Sequence, residues 1–111
     1  MLIFELNAVL AERGTSGRAW LEFLRADALS MGVYHLKAGE ADRQQPHAED
    51  EVYYVVAGQG RFRCGDNQCT VQPGTILFVR RHEEHRFEDI AEDLTALVWF
   101  APPEASLGGA G

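Results

Sequence analysis

No apolar run in this 111-residue chain approaches the ~20 residues needed to span a bilayer. Lysine is almost missing: Lys37 is the only one, and 10 Lys+Arg stand against 17 Asp+Glu for a formal charge of -7. Such a balance repels phosphate backbones and anionic lipid, so neither nucleic acid nor a membrane is an expected partner. The scarcity of lysine also argues against a sugar-nucleotide epimerase, which wants basic residues for a diphosphate beside its acid-base pair. The sequence has no GxSxG elbow, no glycine-rich phosphate loop, no CxxC and no Ser/His/Asp set that holds together. Cysteine is limited to Cys64 and Cys69, expected to face each other across a hairpin loop over Gly65-Asp66-Asn67-Gln68. A cross-strand disulfide there is geometrically conceivable, but the expectation is two reduced, half-buried thiols. The opening MLIFELNAVLAER carries acid where a signal peptide carries basic residues, which points to a cytoplasmic setting.

What the chain does have is length for one core and a dense series of short β-like runs. Residues 1–111 read as a single domain. Asn7 to Glu12 reads as one short helix, capped by Asn7 and stopped near Gly14. From Trp20 the pattern becomes WLEFLR, LSMGVYHL, EVYYVV, RFRC, CTV, TILFV, HRFEDI and LTALVWF, punctuated by AGEADRQQP, AGQG, GDNQ, QPG and RRHEE. Seven or eight strands with hairpin-length gaps predict an all-β sandwich or barrel. The closing APPEASLGGAG, 101–111, lacks apolar periodicity and is expected to be a loose tail. The strand EVYYVV is apolar on both faces, so a second sheet or a second subunit must cover its outer side. A homodimer is the expectation.

The polar groups gather at strand mouths. Gln45, His47, Glu51 and Tyr53 share parity and point to one side of an extended segment. An imidazole and a carboxylate converging there are natural ligands for a divalent transition metal. Further donors must come from RRHEEHRFEDI, which offers His82 and His85.

These residues carry a resemblance to the cupin superfamily over roughly Gly39 to Phe100. The first cupin motif, about 39–60, is matched by Gly39, Gln45 in the usual first-histidine position, His47, Glu51 and Gly58. The second, about 74–89, is matched by Gly74, Arg80 where proline is common, His82 where glycine is common, His85, and Asp89 in place of asparagine. The resemblance implies a double-stranded β-helix, a jelly-roll barrel, with one metal ion at its wide end. Carried over by position, the ligands are His47, Glu51 and His85, with Gln45 as a possible fourth. Two histidines and one carboxylate form a facial set with open positions, and the neutral amide favours iron, manganese or nickel over a tightly held zinc.

Alternatives stay open at this point. Gln44 competes for the fourth position, and Gln45 has the option of holding only a water. A metal-free site would oblige Glu51 to find an arginine or histidine partner. Tyr53 is a candidate pocket residue or simply core. His82 reads as a turn residue at the surface, and His35 as an ordinary strand histidine. Function divides into two readings: a small-molecule metalloenzyme of dioxygenase or isomerase type, or a binding and sensing module that turns nothing over. A DNA-linked sensor would bring a helix-turn-helix that is not seen here, which favours the enzyme.

Overall fold

The eight β-like runs assemble into six strands, because two of the expected breaks are not turns. The computed structural model describes residues 1–106. Helix α1 (Leu6–Ser16) precedes β1 (Trp20–Arg25), β2 (Ser30–Leu36), β3 (Asp50–Cys64), β4 (Asn67–Val71), β5 (Ile76–Val79) and β6 (His85–Ala101). All pairings are antiparallel, in the order β1-β2-β6-β3-β4, with β5 also paired to β3. β6 runs along one edge of β3 for its whole length, while β5 takes the first half of the other edge and β4 the second. This is an all-β jelly roll with one short helix, as the sequence leads one to expect.

The segment AGQG does not reverse the chain. Gly58 sits at φ 95°, and a Cβ there would fall 2.2 Å from the carbonyl oxygen of Asp93, so only glycine lets β3 and β6 close on each other. The β3–β6 register slips at this point. Inward positions change from Glu51, Tyr53 and Val55 to Gly60 and Phe62 along β3. Along β6 they change from His85 and Phe87 to Ile90, Leu94, Ala96, Val98 and Phe100. Asp89, at φ 48°, marks the slip on that side, in a left-handed conformation that Asn and Asp tolerate better than other side chains. The two slips compensate, so both long strands keep one face on the core throughout.

The helix differs from its expected bounds. Its first hydrogen bonds run from the N–H groups of Ala8 and Val9 to the carbonyl of Glu5, which places Asn7 inside the helix and denies it the capping position. It continues through Gly14 and ends at Gly17, whose left-handed backbone sends its N–H to the carbonyls of Arg13 and Gly14. Val9 is its only buried residue.

The cysteines do not face each other: Cys64 pairs in register with Asn67 and Cys69 with Phe62, because the turn is the tighter Gly65-Asp66. Both thiols are free, Cys64 half-buried and Cys69 exposed. Cys64 donates to a Glu83 carboxylate oxygen at 2.8 Å, and burial together with that carboxylate pushes its thiol up to about 11. The expected loose tail is anchored at its start. Ala101 closes β6, and Glu104 is held by its backbone on both sides: its N–H donates to Ser30 Oγ at 3.0 Å and its carbonyl accepts from Arg25 Nη2 at 2.8 Å. Residues 107–111 lie outside the described residues. Among the described residues no helix is long and apolar enough to cross a membrane.

Candidate functional site

The loop between β2 and β3 delivers the first ligands, and one buried acid shapes it. Asp42 accepts hydrogen bonds from Tyr34 Oη (2.7 Å), the Gln44 backbone N–H (3.3 Å), Gln44 Nε2 (2.7 Å) and the Phe87 backbone N–H (2.8 Å). Four donors satisfy a carboxylate that is 8% exposed, and they tie the loop to β2 and β6 at once. Further along, the His47 carbonyl accepts the backbone N–H of His82 at 2.7 Å, joining the two segments on which the ligands lie. His82 holds φ 67° there, the left-handed region in which a glycine would be more at ease.

From these anchors His47, Glu51 and His85 converge, with one ligating atom from each lying within 4.8 Å of the others. The His85 Nδ1 contacts the Glu83 carbonyl oxygen at 2.8 Å. A carbonyl only accepts, so Nδ1 carries a proton, and in the neutral ring the other nitrogen keeps a lone pair. That lone pair, on Nε2, stands 2.9 Å from Glu51 Oε1, and neither atom has a hydrogen bond in acceptable geometry. Two buried acceptors at this distance repel unless a proton or a metal ion resolves the contact. Burial works against the imidazolium of His85, but Glu51 and the Glu83 carbonyl outweigh it, so the ring titrates above its ordinary value.

The donor set also fits a metal ion. Two donors bound at ~2.1 Å and at right angles to each other lie about 3 Å apart, close to the Glu51–His85 separation. Two residues before Glu51 in the chain, the buried Glu49 carboxylate likewise has no hydrogen-bond partner among the described residues.

A cavity of about 210 Å³ opens onto His47 and Glu51, walled by Trp20, Tyr34, Tyr53, Val98 and Phe100. The His47 ring packs edge-on against Phe100, with centroids 4.8 Å apart. Residues 32–100 match the cupin domain family. The chain is a member of the cupin family. It is 43% identical over 105 residues to an uncharacterised protein of Streptomyces coelicolor, covering 95% of this chain and all of the other. Among solved structures it resembles TT1209 from Thermus thermophilus, with a TM-score of 0.70 and 23% identity over 93% of this chain and 99% of that one. It also resembles the DMSP lyase DddQ from Ruegeria pomeroyi, with a TM-score of 0.64 and 25% identity. That likeness takes in 68% of this chain but only 39% of the lyase.

Within this cupin the two neighbouring glutamines have distinct places. Gln44 is half-buried and lines the inner cavity, its Oε1 accepting from Tyr53 Oη at 2.9 Å. Gln45, expected as a possible fourth donor, is exposed and lines an outer cavity instead. The alternation used to aim it inward needs an extended strand, and β3 begins only at Asp50. Tyr53 is fully buried and lines the inner cavity, so it serves both as core and as wall. Burial, then the Glu51 charge, keep its hydroxyl protonated well above the usual tyrosine range. Tyr34 is raised likewise, by burial and by Asp42.

His82 is exposed in the turn, and His35 sits on β2 with its Nδ1 3.0 Å from Thr95 Oγ1. Glu104 is the residue that motif spacing did not find. It lines the inner cavity with its carboxylate 3.9 Å from His47 Nδ1, and burial raises its pKa above the ordinary value. Its only sequence signal was an acid following two prolines.

Proposed function

We propose that this cupin is a mononuclear metalloenzyme that binds a small organic molecule in the inner cavity and oxygenates or isomerises it. The observation that carries the reading is the meeting of His47, Glu51 and His85, with Glu51 Oε1 and His85 Nε2 buried, 2.9 Å apart and otherwise unpartnered. A divalent transition metal held there would supply Lewis acidity and, if redox-active, reactivity toward dioxygen.

The chain's own groups prepare the site for that role. The Glu83 carbonyl fixes the His85 tautomer, so Nε2 is the nitrogen presented to the centre. Trp20, Val98 and Phe100 exclude water from one side of the cavity. At about 210 Å³ the space falls below the ~300–1,000 Å³ of drug-sized sites, which selects a small substrate.

Removing one imidazole from a three-ligand set leaves two donors that do not hold a divalent ion firmly. His85→Ala should therefore lose at least about 100-fold in affinity for iron, manganese, nickel or zinc by chelator competition, while keeping a wild-type circular dichroism spectrum. Wild-type protein that takes up none of these metals would refute the reading. A non-catalytic binding cupin is the outcome to accept if metal binds but small-molecule turnover is never found.

A further inference from the structure

Across Gln44, which lines both, lies a second, outer cavity of about 580 Å³, and His85 lines this one while His47 and Glu51 line the inner. Three of the chain's 10 basic residues, Arg43, Arg63 and Arg86, line it, although the chain as a whole carries a charge of -7. Two acids line it as well, Asp42 and Glu84. Asp42 is consumed by its four hydrogen bonds.

Arg63 and Arg86 are set in place by one carboxylate. Arg63 Nε donates to both oxygens of Glu88, at 3.0 and 3.2 Å, and Arg86 Nε donates to Oε1 at 3.0 Å. Arg86 and then Arg63 hold the Glu88 carboxyl below its usual range. Among the described residues the hydrogen bonds of both guanidiniums end at Nε, and their terminal NH2 groups make none. Arg43 makes no side-chain hydrogen bond among the described residues either. One carboxylate thus positions two guanidiniums without using the planar forks that bind oxyanions in bidentate fashion. Three arginines stand here against Asp42, Glu84 and Glu88, so what the wall offers an anion is the unused guanidinium forks of Arg63 and Arg86 and the unpaired side chain of Arg43.

We propose that the outer cavity binds the oxyanion end of a small-molecule substrate, a carboxylate or phosphate gripped by Arg43, Arg63 and Arg86, with the rest of the molecule passing Gln44 toward His47, Glu51 and His85. The inference rests on the reading of that triad as the reacting centre, and it names the substrate class: a small organic anion. It also gives the low lysine content a sense, since the planar fork of arginine grips a carboxylate or a phosphate through two parallel bonds where lysine offers only a point charge.

The test uses the full chain, metal-free and zinc-loaded, with metal content measured on the same samples. Succinate and glycerol phosphate are the probes, and succinamide and glycerol are their uncharged counterparts. Isothermal titration calorimetry at low ionic strength should show at least one anion binding to the metal-free protein and its neutral counterpart failing to bind. The anion that binds tells carboxylate from phosphate. Arg86→Gln, at an exposed side chain, and Arg63→Gln should each weaken that binding about tenfold or more with the melting midpoint unchanged. Neither anion binding, or both variants binding as wild type does, overturns the inference. A chain that takes up no metal yet binds an anion through these arginines upholds the anion site and removes only the metal-centre reading.

Discussion

A histidine that gives its second ring N–H to a carboxylate is fixed in tautomer and in direction, and losing such a partner commonly costs 10- to 100-fold in metal affinity. Glu104 lies near His47, its carboxylate 3.9 Å from Nδ1 and beyond hydrogen-bond distance until the side chain moves closer, on a backbone pinned by Ser30 and Arg25. Glu104→Gln keeps the side chain's size and removes its charge. It should weaken metal binding about tenfold in a chelator competition, and an unchanged dissociation constant would reduce Glu104 to cavity wall. His47, Glu51 and His85 were legible because short-range spacing encodes them. Asp42 and Glu104 were not: Asp42 acts on Phe87, 45 residues away, and Glu104 reaches His47 only after β6 has crossed the whole sheet. No local pattern records contacts of that kind. Gln44 and Gln45 could not be told apart either, since the loop that carries them has no fixed period.

The outer face of the sheet poses the main question at the level of elements. Along β3 burial alternates from Glu51 to Val55, with Val52 and Tyr54 turned outward. Beside them on β5 Ile76 is 68% exposed and Phe78 60% exposed. A groove of about 340 Å³ on this face is lined by Leu29, Val52, Tyr54, Ile76 and Trp99, with no charged residue. Met1, Leu2 and Ile3 form a second exposed apolar element on the same chain. A second copy would cover both features, and we propose a homodimer closed over this face. Sedimentation at micromolar concentration should give a dimer that tightens as salt screens the -7 charge of each copy, and Phe78→Glu should break it. A clean wild-type monomer would contradict this. The same strands explain what was misread: AGQG looks like a turn by composition, but Gly58 serves a close backbone approach within one long strand. Composition cannot distinguish a glycine that turns the chain from one that lets two strands touch.

For the molecule as a whole, the series of short β-like runs with turn-rich gaps was sufficient for an all-β fold, and the two spaced motifs were sufficient for the jelly roll. What neither contained was how the barrel divides its interior into an inner, largely apolar cavity and an outer, arginine-lined one meeting at Gln44. That division depends on the β2–β3 loop, which carries Gln44 between the two, and on the C-terminal turn, which brings Glu104 to the inner one. The whole arrangement centres on a point between His47, Glu51 and His85, and anomalous diffraction from crystals grown with a transition metal locates that ion directly. One anomalous peak per chain is expected within bonding distance of all three side chains, with the Glu51–His85 contact now bridged by the ion. No peak there at saturating metal, with Glu51 Oε1 and His85 Nε2 still in direct contact, would contradict the metal centre.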